Sequence, residues 1–169
     1  GQLLGTHCIF FNNQAGRGGS LFSRHGESIV NVTLSKFISN RAMITGGALY
    51  LDYGTHYLTD SEIQNNEALL RGGGIYIFGE TNDASTIYMS RVVLKNNKQI
   101  NISPEDSSDY WGGGLYLYSC VYVIAIECLF IRNRADDNQG HQIMTVNGTY
   151  GTPSITLINT KFVQETNTS

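Results

Sequence analysis

Proline is almost missing from this 169-residue chain, with two residues in all, and tryptophan occurs once. Charge is also sparse: Lys, Arg, Asp and Glu together make up 15%. The net charge of −3 gives none of the basic surplus that a nucleic-acid partner calls for. No apolar run approaches the roughly 18 residues of a membrane-spanning helix, so no membrane span is expected in this segment. The opening residues, Gly1–Cys8, lack the basic stretch of a signal peptide, as a processed or excised chain also would. Cysteine is limited to Cys8, Cys120 and Cys128. No sustained apolar period of 3.6 residues is present, so an all-β class is expected.

Glycine, by contrast, is abundant at 19 residues, and hydrophobic residues reach 41%, enough to fill one core. The glycines recur in one pattern: "ITGGALYL" (44–51), "RGGGIYIF" (71–78), "WGGGLYLY" (111–118) and a weaker "GRGGSLFS" (16–23). A second motif, a large apolar residue three positions before Asn, alternates with the first. It reads "FFNN", "FISN", "IQNN", "LKNN" and "FIRN", ending at Asn13, Asn40, Asn66, Asn97 and Asn133, with Glu165 in the last copy. The spacings from one copy to the next are 27, 26, 31, 36 and 32 residues.

Alignment on the Asn places like residues in columns. Three positions earlier stand Phe10, Phe37, Ile63, Leu94, Phe130 and Phe162. Five earlier are mostly small residues: Cys8, Ser35, Ser61, Val92, Cys128 and Thr160. Eight earlier stand Gly5, Val32, Leu58, Met89, Ala125 and Leu157, and seven earlier a column that begins with Thr6, Thr33 and Thr59. "SIVNVTL" and "SITLINT" read as strands. Strands repeating with like residues in register imply a solenoid, each turn about 4.8 Å from the next, and six turns would span roughly 29 Å. The Asn residues are expected at a left-handed bend, with their amides bonded from turn to turn. A leucine-rich repeat fits less well, because repeat length varies and the Leu-x-Leu strand ahead of the Asn is absent. A β-sandwich gives no reason for repetition.

The two alternating motifs resemble the repeats of polymorphic outer membrane proteins and related adhesin-like β-helices. The resemblance covers nearly the whole chain. It implies a right-handed parallel β-helix with three strands per turn, residues 1–169 forming a single segment. It also implies an extracellular or cell-surface location and an adhesive or structural role. The fifth glycine copy departs from the pattern, with His141 at the second Gly position.

Alternation through "GGALYL" puts Leu49 and Leu51 inside the solenoid and Ala48 and Tyr50 outside. The same phase yields an outer column of Phe22, Tyr50, Tyr76 and Tyr116, continued by Met144, and a second column of Phe78 and Tyr118. The expectation is an exposed aromatic strip for glycans or partner proteins; the alternative is that the stacked tyrosines only protect one sheet face. Two insertions border the strip: 79–86, and 98–111, which carries Glu105, Asp106, Asp109 and Trp111. Sequons at Asn31, Asn101, Asn147 and Asn167 mark candidate glycosylation sites.

A polysaccharide lyase or hydrolase of the pectin-lyase-like class is the alternative, and its best candidates are Asp136, Asp137 and His141. They bear a faint resemblance to polygalacturonase elements. In that family, however, the elements lie on different turns; here they share one bend and no basic cluster follows. No catalytic residue, metal or cofactor is therefore assigned. Cys8 and Cys128 fall in one column four turns apart, too far to bridge, and an extended strand separates Cys120 from Cys128. No cap is evident at either end, so a longer parent chain or end-to-end self-association is expected.

Overall fold

The computed structural model describes residues 1–100, 111–136 and 140–164. The chain is a parallel β-helix, and among the described residues every named strand lies in one of four parallel sheets. In the second turn the strands are Ile29–Thr33, Lys36–Ile38, Arg41–Thr45 and Leu49–Asp52, which enter sheets A, B, C and D in that order. Sheets A and B each hold six strands, and sheets C and D five. Equivalent residues pair directly, as in Phe10↔Phe37, Phe37↔Ile63, Ile63↔Leu94, Leu94↔Phe130 and Phe130↔Phe162.

Four strands per turn replace the three implied by the resemblance. The additional corner lies between sheets A and B, where one residue per turn takes a positive φ: His7, Leu34, Asp60, Arg91, Glu127 and Asn159. A left-handed residue reverses the alternation of side chains. Val32 thus points in, Leu34 out, and Ser35 and Phe37 in again.

The corner between sheets B and C corrects the expected place of the bend. The left-handed residue is the one before the ladder Asn: Asn12, Ser39, Asn65, Asn96 and Arg132. Hence the doubled Asn of "FFNN", "IQNN" and "LKNN": the first accepts the positive φ, which Asn tolerates well, and the second turns inward. Asn40, Asn66, Asn97 and Asn133 are fully buried. Each amide is saturated by its neighbours. The Asn66 backbone N–H and Nδ2 both donate to Asn97 Oδ1, at 3.1 and 2.9 Å. Asn66 Nδ2 also donates to the Phe37 carbonyl at 2.9 Å, and its Oδ1 accepts from Asn40 N and Nδ2 at 2.9 and 3.0 Å. The same bonds link Asn13 to Asn40 and Asn97 to Asn133.

The glycine motif meets this ladder across the lumen. The first glycine takes a positive φ at Gly18, Gly46, Gly72, Gly112 and Gly140. At Gly19, Gly47, Gly73 and Gly113 a Cβ would overlap backbone of the following turn. At Gly74 and Gly114 a Cβ would press on the amides of Asn97 and Asn133, at 3.1–3.2 Å. Ala48 is fully buried in the core, which corrects its expected outward direction. Small residues at this third position therefore make room for the Asn ladder.

The lumen is filled by Leu49, Leu51, Ile75, Ile77, Leu115 and Leu117 from sheet D, facing Val32, Leu58, Met89 and the Phe37 column. Each such side chain contributes roughly 1.5–3 kcal/mol on burial. Phe10 and Phe37 stack with centroids 4.6 Å apart, and Phe130 and Phe162 at 5.1 Å.

Asn97→Ala would leave two donors on Asn66 and the Ile63 carbonyl without their side-chain partner, while Asn133 Oδ1 keeps only the bond from the backbone N–H of residue 97. At about 1–3 kcal/mol per buried unpaired group, a denaturant titration should show the folded state weakened by at least about 3 kcal/mol. Asn13→Ala, at an exposed position, should change it by less than about 1 kcal/mol, since surface substitutions are usually small.

Candidate functional site

The tyrosine column forms in the expected register but is not an open strip. Phe22, Tyr50, Tyr76 and Tyr116 pair in sequence, with Met144 after Tyr116. Their rings stack at 4.9, 4.9 and 5.4 Å, nearly parallel. Tyr50, Tyr76 and Tyr116 are nonetheless buried, with 8, 7 and 2% exposure, and only Phe22 is open at 49%. The rings cover one another's faces. Arg17 lies over Tyr50 and Arg71 over Tyr116, each 5.8 Å from the centroid, and Trp111 stacks on Tyr116 at 6.4 Å. Phe78 and Tyr118 flank the column, stacked at 5.6 Å and half-buried. This second hydrophobic layer stabilises the outside of sheet D and offers little ring surface to a ligand.

At the head of the Phe78–Tyr118 column stands Asp52, which composition and motif reading missed. Asp52 is 2% exposed. Its Oδ2 accepts a 2.8 Å hydrogen bond from Tyr50 OH and lies 3.7 Å from Arg24 Nε, and Oδ1 accepts none. Burial pushes the carboxyl up to about 6, against the Tyr50 hydrogen bond and the charges of Arg24 and Arg17. Burial, then the neighbouring Asp52, raises the Tyr50 phenol too. Nearby, Tyr53 OH donates to Glu80 Oε1 at 3.0 Å.

His56 is the one fully buried histidine among the described residues. Its Nδ1 accepts from Val30 N at 3.3 Å, which leaves Nε2–H to donate to the Tyr53 carbonyl at 2.8 Å. Burial lowers its pKa. Both nitrogens are occupied, so His56 is a neutral lumen residue.

Asp136 pairs with Lys98 at 3.4 Å and Arg134 at 3.8 Å, while His141 Nδ1 accepts from Ala135 N at 3.0 Å. Asp137 lies outside the described residues, as do Glu105, Asp106, Asp109 and the sequons at Asn101 and Asn167. Asn147 is exposed and Asn31 half-buried. The three cysteines are free, with Cys128 buried. Among the described residues no cluster of His, Cys, Asp and Glu could hold a metal, and no helix is long and apolar enough to cross a membrane.

The exposed aromatic surface lies instead on the outside of sheet A. Three outward columns cross its six strands. One holds Gln2, Ile29, Thr55, Thr86, Tyr122 and Ser154. The next holds Leu4, Asn31, Tyr57, Tyr88, Ile124 and Thr156, and the last Thr6, Thr33, Thr59, Ser90, Ile126 and Ile158. None of these 18 residues is charged, in a chain with 11 basic and 14 acidic residues. Tyr57, Tyr88 and Tyr122 are 38, 39 and 47% exposed. Tyr57 and Tyr88 stack at 5.2 Å. Charge returns at the corner with sheet B, where Arg91 Nε and Nη2 grip Asp60 at 2.5 and 2.7 Å. The columns eleven and nine positions before the ladder Asn would have disclosed this face from sequence. Comparison with protein-family models, curated proteins and solved structures finds no match for the chain.

The Asp52 carboxyl gives a test of the buried layer. A carboxyl whose pKa is raised on folding favours the folded state fully below its unfolded value, here 3.8, and loses that contribution as pH rises through about 6. Asp52→Asn keeps the shape without the charge. Its unfolding free energy should match the parent near pH 3.5 and exceed it above pH 6.5, by on the order of 2 kcal/mol, in paired denaturant titrations across pH.

Proposed function

We propose that the chain is a rigid segment of an extracellular, cell-surface β-helix with a structural and adhesive role, and that sheet A is its contact face. The supporting observation is the uncharged outer face of that sheet with Tyr57, Tyr88 and Tyr122 exposed on it. Contiguous surface of this kind marks an interaction site more often than chance exposure does. Its support is firm: Val30, Val32, Leu58, Ile87, Met89, Val121, Val123 and Ala125 anchor the same strands in the core. A face held by a packed lumen meets a partner with little loss of conformational entropy. The contact face moves from the Tyr50, Tyr76 and Tyr116 column to sheet A because the former is covered. Partners of this face are glycans or other surface proteins. The sequons at Asn31 and Asn147 would carry sugar if the chain is made in a secretory pathway that glycosylates.

A charge placed mid-face separates this role from mere protection of the sheet. Thr86→Lys, at a half-buried outward position, should leave the melting curve nearly unchanged. It should reduce binding to cell-surface or matrix preparations at least tenfold, measured by solid-phase binding of the labelled chain. Met43→Ser, at an exposed position on sheet C, should leave binding intact. Equal binding of Thr86→Lys and the parent would contradict the proposal.

A further inference from the structure

The outer face of sheet A differs in chemistry from the faces beside it. Sheet C carries an outward row of Arg41, Glu67, Lys98 and Arg134, laced by ion pairs such as Arg41–Glu67 at 3.3 Å. Sheet B mixes Lys36, Glu62, Lys95 and Lys161 with apolar residues. Sheet A has hydroxyls instead. Of its 18 outward residues, eight are Thr or Ser and three are Tyr.

From these features, and resting on the contact role proposed for sheet A, we infer that the face takes a neutral polysaccharide chain. The absence of charge is the first reason. A uronate or sulfated glycan would call for the basic residues that the face lacks, and an ionised partner would lose hydration against it without compensation. Size is the second. Six strands at about 4.8 Å and five residues at about 3.3 Å give a face of roughly 29 by 16 Å, under 500 Å². A stable protein interface takes about 800 Å² from each partner, with aromatic anchors in pockets. This face is smaller and flat. The third reason is repetition: along the helix axis hydroxyls recur at strand spacing, in Thr6, Thr33, Thr59 and Ser90 on one side and Thr55 and Thr86 on the other. A polymer of neutral sugars presents repeating hydroxyls that exchange hydrogen bonds with such rows, directly or through water.

The aromatic column sets where a sugar ring would sit. Tyr88 covers one face of Tyr57, and the neighbour on its other side is the shorter Asn31. A pyranose placed over Asn31 would meet the ring face of Tyr57 and a carboxamide able to donate and accept. Occupancy of this place by a chain supplied from outside requires Asn31 to be free of its own glycan.

Affinity electrophoresis of the whole chain, produced without glycosylation, tests the inference in gels containing mannan, galactan or mixed-linkage glucan, with polygalacturonate as the charged gel. At least one neutral gel should retard the chain, and polygalacturonate should not. Tyr57→Ala and Thr86→Lys should each weaken retardation at least tenfold, while their circular-dichroism melts stay close to the parent's. The inference is overturned if no neutral gel retards the chain, if polygalacturonate retards it equally, or if both variants bind as the parent does. Periodate treatment of a cell-surface preparation separates the two levels. If binding survives loss of the sugars yet still disappears in Thr86→Lys, sheet A is a contact face for something other than glycan. If Thr86→Lys changes surface binding in neither case, both readings fall.

Discussion

The structure depends on the buried asparagine ladder. A parallel solenoid must turn a corner several times per coil, and at the corner between sheets B and C the residue after the bend is an Asn turned into the interior, where its polar groups must find partners. At the corner between sheets B and C, each internal amide accepts two donors from the turn before and gives one to the turn after and one to a backbone carbonyl. The bonds run along the axis, so every turn is fixed in register to its neighbours. A slip by one residue would expose the ladder amides and the Phe37 column together. The glycines are the consequence. They let the fourth strand start close enough to the ladder and to the following turn, where any side chain would collide. The two sequence motifs are halves of one steric solution.

With the interior so constrained, the outer faces are free to differ. Sheet D buries its outside under stacked rings, arginines and Trp111, and it holds the buried carboxyl of Asp52 there. Sheet C carries ion pairs. Sheet A stays flat, uncharged and exposed. A fold of this kind keeps stability in the lumen and leaves recognition to one chosen surface, and sheet A is the surface whose chemistry is least explained by solubility.

Much of this architecture is legible in the sequence because the repetition is itself a consequence of register. Aligning the copies on Asn13, Asn40, Asn66, Asn97 and Asn133 recovers the Phe37 column, and aligning the glycine motif recovers the tyrosine row. The corner between sheets A and B is also written there: inward residues fall eight, five and three positions before the Asn, and the odd step between eight and five records a left-handed residue. Alternation correctly puts Tyr50, Tyr76 and Tyr116 outside the lumen. It says nothing of what covers them, because Arg17, Arg71 and Trp111 reach the rings from other strands and corners. For the same reason the burial of Asp52 is not legible, and the Tyr57–Tyr88 pair is marked only by its column nine positions before the ladder Asn, outside both motifs.

Hydrogen exchange of the asparagine side-chain amides by NMR addresses the ladder most directly. Saturated, buried carboxamides at Asn40, Asn66 and Asn97 should exchange many orders of magnitude more slowly than that of Asn13, and at rates close to those of the slowest backbone amides in sheet B. Exchange of all four at solvent rates would mean that the amides do not bond from turn to turn, and the account of how the coils are held in register would fail.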